Sequence, residues 1–180
     1  MYKLLGVLCL FLCVQSEETI DWNGKTKLHW GNFKDTPEQN SDAVAITASG
    51  ITYGFRSKTY SNSSKIEYTT SVLAQFYPEK SWYLKGRVND TVLGHEQLHF
   101  DITELHARKF RKRIKEVKLT KNIKEEISKI YDEINQSLQQ MQNAYDNGSD
   151  YSRDYEGQIA WQKRIAKELK KYKKYELPVK

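Results

Sequence analysis

Residues His95-Glu96-Gln97-Leu98-His99 set two imidazoles four positions apart, with a carboxylate next to the first. On a helix that spacing turns both rings to one face, about 40° apart around the axis and about 6 Å along it. Two neutral imidazoles so placed can bind one Zn²⁺, and the carboxylate one step on can take a proton from a water at that ion. With four histidines in the chain, composition alone yields roughly 0.007 occurrences of this HExxH pattern, so chance is a poor account of it. The chemistry it points to is hydrolysis. His95 and His99 are the candidate ligands of Zn²⁺, and Glu96 is the candidate catalytic base.

A catalytic zinc takes a third protein ligand and keeps one position open. The extension HExxHxxGxxH is not present, because Ile102 stands at the glycine and Leu105 at the third histidine. His106 shares a face with His95 but lies about 10 Å past His99 along a helix axis, too far for the same ion. It reads as a packing or surface residue, and His29, beside Trp30, reads as structural. A second helix returning antiparallel to the first would bring residues 145–156 back to the motif. That segment, YDNGSDYSRDYE, offers Asp146, Asp150, Tyr151, Asp154 and Glu156 as oxygen ligands. Tyr145 and Tyr151 are candidate donors to a transition-state oxyanion. Spacing does not choose among them.

The elements that must hold these residues divide the chain in two. Residues 26–88 are rich in Thr, Tyr, Ser, Val and Ile, and residues 91–175 in Lys, Glu, Gln, Ile and Leu. This predicts an α+β fold, with a small antiparallel sheet packed on a helical second half that carries the HExxH helix. Strands are expected at Lys27–Trp30, Ala43–Phe55 and Ile66–Tyr77, with a bulge or turn at Ser49-Gly50 and a loop at 60–65. The last strand is a candidate to pair with an extended peptide. A first helix is expected to start from an Asp90 cap, with Val92, Leu98, Ile102, Leu105, Ile114 and Val117 as its seam. Ile123, Ile127, Ile130, Ile134, Leu138 and Met141 form the stripe of a second helix that breaks at Asn147-Gly148-Ser149-Asp150. A third helix is expected over about 155–175.

The ends of the chain bound its surroundings. Lys3, the apolar run 4–14 and the small residues Val14 and Ser16 read as a signal peptide over 1–16, leaving one domain at 17–180. The protein is then expected to be secreted, or held in a periplasm or cell envelope. Both cysteines, Cys9 and Cys13, fall inside that segment, which excludes a disulfide framework, a thiolate nucleophile and a cysteine zinc site. A lipid anchor at Cys13 is the lesser alternative, since Leu12 is larger than such sites prefer. The chain of 180 residues carries a formal charge of +6. Residues 163–180 hold eight Lys or Arg against Glu168 and Glu176, so the whole excess lies in this basic C-terminal stretch. No basic groove with interleaved aromatics is visible, which argues against a nucleic-acid partner. The basic stretch could meet an anionic envelope surface.

The run LGHEQLHFDITELHARKFRK, at 93–112, resembles the domain of unknown function 922 family of predicted secreted zinc-dependent proteases. Leu28-x-Trp30-x-x-Phe33, Ala45-Ile46-Thr47-Ala48, Phe76–Trp82, Tyr145-Asp146, Gln158 and Trp161 extend the likeness over almost all of residues 17–180. The resemblance implies a zincin-like fold, a zinc cofactor and a peptide or protein substrate. Two positions depart from it. Leu98 stands where many members have glycine, and Tyr151 stands where members often have a histidine. The resemblance then implies that Tyr151 or a nearby acid replaces that histidine as third ligand. The function expected is a secreted zinc metallopeptidase. The alternative is a non-catalytic cell-envelope binding protein with a zinc site or the remnant of one.

Overall fold

The computed structural model describes residues 17–25, 27–60 and 66–178; the signal-peptide reading and nearly all of the 60–65 loop lie outside the described residues. The order of elements is β1 (Ile20–Asp21), β2 (Ala45–Ile46), β3 (Ser49–Thr59), β4 (Ile66–Phe76), β5 (Trp82–Tyr83), α1 (Asp90–Glu116), α2 (Ile123–Gly148) and α3 (Tyr155–Lys171). The fold is α+β, with small antiparallel sheets in the first half and three helices in the second.

β3 and β4 are each 11 residues long and pair antiparallel from Ser49↔Phe76 to Thr59↔Ile66. Successive strand side chains point to opposite faces, and Val72, Ala74 and Phe76 are buried while Leu73 and Gln75 between them are less so. That face rests on α1 through Phe76 against Phe100 and Tyr53 against Phe110, ring centroids 5.9 and 5.5 Å apart. β1 adds to the other edge of β4 at Ile20↔Phe76 and Asp21↔Gln75. The last two residues of β4 are thus paired on both sides.

Three sequence expectations are corrected. Residues 27–30 form no strand; Trp30 opens a 3-10 turn at Trp30–Asn32 and packs on Phe33 and Tyr83. The run 43–55 is two strands in two sheets, because β2 pairs with β5 whereas β3 pairs with β4. Between them Thr47 Oγ1 donates to the Glu96 carbonyl, so the chain crosses α1 there instead of turning at Ser49-Gly50. The cap of α1 is Asn89, whose side chain accepts from the Val92 amide at 3.0 Å, and not Asp90.

α1 is buried on much of its circumference, between the sheet, α2 and α3. α2 presents the expected stripe, with Ile123, Ile127, Ile130, Ile134 and Leu138 all buried. Each such side chain contributes about 1.5–3 kcal/mol of burial. The second helix ends at Gly148, inside the expected break at 147–150. There a Cβ on Gly148 would overlap Trp161 Nε1, and one on Gly157 would overlap the Gly148 carbonyl. The end of α2 and the start of α3 therefore cross with their backbones in contact. Asp150, Tyr151 and Ser152 make the turn between them with φ of 44°, 51° and 71°, a left-handed run that costs about 1–2 kcal/mol per non-glycine residue. α3 is capped by Asp154, which accepts from the Gly157 amide.

Candidate metal centre

The first turns of α1 carry His95, Glu96 and His99, and the last turns of α2 carry Gln142, Tyr145 and Asp146. The antiparallel return of α2 brings the two sets together. His95 Nε2 lies 3.1 Å from His99 Nε2, and the Asp146 Oδ1 carboxylate oxygen lies 3.2 Å from the first and 3.0 Å from the second. Among the described residues these three form a group able to hold a metal ion.

The donor set fits a cation. Ligands about 2.0–2.1 Å from a tetrahedral ion lie about 3.3 Å from one another, close to the three separations found. The backs of both rings face oxygens: His99 Nδ1 is 2.6 Å from Gln142 Oε1 and His95 Nδ1 is 3.2 Å from Gln158 Oε1. A ring that donates from Nδ1 presents a bare lone pair at Nε2, and this outer contact orients a metal-binding imidazole. Two such lone pairs and a carboxylate oxygen then converge on one point, and positive charge is what that point lacks. The electrostatics agree. Burial opposes charge on His99, yet its bond to Asp146 and the nearby Glu96 carboxylate raise its affinity for a proton. Burial would raise the pKa of Asp146, but bonds from His95 and His99 outweigh it and hold the carboxyl well below the usual range.

Glu96 is 4% exposed, and its carboxylate has no hydrogen bond or ion pair among the described residues. Its carboxylate lies close enough to the group to raise the proton affinity of His99. Asp146 keeps 25% of its side-chain exposure, which leaves the group open to solvent on that side.

The other candidates fall elsewhere. Tyr145 is fully buried, stacks on His95 at 4.5 Å and donates to Gln158 Oε1 at 2.7 Å. Burial pushes its hydroxyl far up, so it stays a protonated donor, and it is committed to positioning His95. Tyr151 is 58% exposed with the Arg153 guanidinium over its ring. Asp150 is held by two bonds to Arg153, Asp154 caps α3, and Glu156 is exposed on the first turn of α3. Of the acids in 145–156, Asp146 alone joins the histidines. His106 is buried and donates from Nδ1 to the Ile102 carbonyl, and His29 precedes the first 3-10 turn, so neither reaches the group. Gln142 and Gln158 were not singled out as site residues. Gln142 follows Leu138 by four on the buried stripe of α2, and a polar side chain at that phase was the available signal.

Fold and site together define an α+β protein with a two-histidine, one-carboxylate centre on antiparallel helices. The chain belongs to the family described as "Bacterial protein of unknown function (DUF922)", whose model matches residues 34–152. The matched span includes His95, Glu96, His99 and Asp146 and ends before α3. No curated protein and no solved structure matches the chain. Among the described residues no helix is long and apolar enough to cross a membrane.

Proposed function

We propose that this chain is a zinc-dependent metallopeptidase that works outside the cytoplasm, with His95, His99 and Asp146 as ligands and Glu96 as general base. The observation that carries this reading is the convergence of His95 Nε2, His99 Nε2 and Asp146 Oδ1 within 3.2 Å of one another, with the Glu96 carboxylate beside them. Zinc at such a site supplies Lewis-acid polarisation of a carbonyl and acidifies water. Glu96 accepts the proton of the attacking water and returns it to the leaving amine nitrogen. Asp146, on the open side, leaves room for a substrate carbonyl. Tyr145 keeps His95 in plane and Gln142 keeps the His99 proton on Nδ1. The same donor set holds Fe²⁺ in oxygenases, but an unpaired carboxylate next to the ligands favours hydrolysis.

The test is Glu96→Gln in the purified chain, with metal content and cleavage of a peptide library read together. The variant is expected to keep one zinc and to lose about 10²–10⁴-fold in rate. Full retained hydrolysis sinks the mechanism. A wild-type chain that binds zinc and cleaves no peptide supports the second reading, a non-catalytic envelope protein. The exposed lysines of α3, at 163, 167, 170 and 171, are the feature that favours that alternative, through contact with an anionic surface.

A further inference from the structure

Two glutamines hold the imidazoles of the metal group from behind, and only one of these amides is tied in place. Gln142 Nε2 donates to the His99 carbonyl at 3.0 Å, so its Oε1 must face His99 Nδ1. Gln158, 2% exposed, has no such tie. Its Oε1 accepts from Tyr145 Oη and faces His95 Nδ1, while its Nε2 is buried without a partner among the described residues. The two ends of an amide have nearly the same shape, so the space accepts either orientation.

Reversal changes every bond in a consistent way. Gln158 Nε2 would donate to Tyr145 Oη, and Tyr145 would donate to the His95 backbone carbonyl, already 3.4 Å away. The second amide hydrogen would go to His95 Nδ1. The single proton of the neutral ring would then sit on Nε2 and bond to Asp146 Oδ1, 3.2 Å off. Exchange with water carries that proton from one ring nitrogen to the other, with no net gain or loss. The buried atom left without a partner becomes an acceptor instead of a donor, which proteins tolerate better.

The two arrangements suit opposite contents of the site. Oxygen toward the ring bares the Nε2 lone pair for a cation. Nitrogen toward the ring closes His95 onto Asp146 through a proton. We infer that Gln158 is a two-position selector of the His95 tautomer: its oxygen faces the ring when a metal ion is held, and its nitrogen faces the ring when none is. Gln158 is thus a positioning residue, and the inference rests on the metal-centre reading of the group.

The experiment follows the ¹⁵N signals of His95 in the full chain, with and without one equivalent of Zn²⁺. The expected result is Nε2–H in the metal-free protein and Nδ1–H in the loaded one. Nδ1–H in both states overturns the selector. Gln158→Glu, which can only accept, should hold Nδ1–H in both states and bind zinc within about threefold of wild type, whereas Gln158→Leu should weaken zinc 10- to 100-fold in chelator competition. Unchanged affinity in Gln158→Leu overturns the proposal as well. A wild-type chain that takes up no zinc sinks the metal centre itself; zinc uptake with an unchanged tautomer sinks only the selector.

Discussion

Helix α1 carries a polar cluster near each end, and the two balance charge in opposite ways. Toward the C-terminus, Glu104 is 1% exposed and accepts from Arg108 Nε at 2.8 Å and from Arg111 at 3.0 and 3.2 Å. The same guanidiniums hold the Leu169, Val72 and Tyr175 carbonyls, and Trp22 covers Arg108. Here the chain brings its own cations, and the cluster ties α1 to β4 and to the segment after α3. Toward the N-terminus, two imidazoles and a carboxylate meet with no Lys or Arg paired to them among the described residues, and Glu96 stands beside them. The first cluster, with Glu176 3.4 Å from Arg108, is neutralised by the chain's own charges, whereas the second is a group that could hold a metal ion.

Four changes sharpen or break that contrast. Glu104→Ala should be the most damaging to stability, by about 3–5 kcal/mol, because it removes the only carboxylate paired with Arg111 among the described residues and leaves Arg108 with Glu176 alone, 3.4 Å away. Urea melts should show the loss while zinc affinity stays at the wild-type value; a matching fall in zinc affinity would merge the two clusters. Asp146→Asn should do the reverse. Zinc binding should weaken by more than the 10- to 100-fold typical of an outer contact, with a smaller loss in the metal-free melt than Glu104→Ala shows, since the amide oxygen still accepts a bond from an imidazole. Wild-type affinity in that variant removes the carboxylate from the centre.

His106 falls within the span of the Glu104 cluster but turns to Ser137 of α2, 3.4 Å away, and belongs to neither. Burial, helped by the facing Lys109, lowers its pKa from 6.5 to about 4. Between those values the unfolded chain binds the extra proton, so the contribution of His106 is full above pH 6.5 and is lost as pH falls toward 4. The loss amounts to about 3 kcal/mol. Urea melts at pH 7.5 and 4.5 on wild type and His106→Gln isolate it, because the variant should lack that part of the slope. Asn89→Ala is the mildest change. Loss of the cap should cost about 1 kcal/mol, and thermal melts should show it without a fall in zinc content, since the ligands start two turns further on.

Much of the fold could be read from local pattern. The stripe from Ile123 to Leu138 repeats by three and four, and its residues are the buried face of α2. β4 lies one residue inside its expected limits, because Pro78 cannot continue a ladder. The failures come from long-range contacts. Nothing local in 43–55 shows that Thr47 must meet the Glu96 carbonyl, so one strand was expected where the chain changes sheets. The third member of the group was obscured by the number of oxygen donors that 145–156 offers. With α2 carried to Gly148, the stripe passes from Leu138 to Gln142 and then to Asp146, four residues at a time, whereas Asp150 falls past the helix end. Helix phase, more than the abundance of acids in 145–156, separates them. The site's partners in α3 were hidden because Gln158 owes its role to the backbone contact at Gly148 and Gly157.

His95 and Asp146 are 51 residues apart in sequence, and they meet only while α1 and α2 are docked. An ion that binds them binds the folded chain and not the unfolded one. By mass action, each tenfold rise of free ion above its dissociation constant would add about 1.4 kcal/mol to the stability of that docking. The folded population would then report the ion supply of its compartment: in a metal-poor medium the two helices depend on the buried stripe of α2 and on polar links such as Arg113–Glu133, and in a metal-rich one they are clamped.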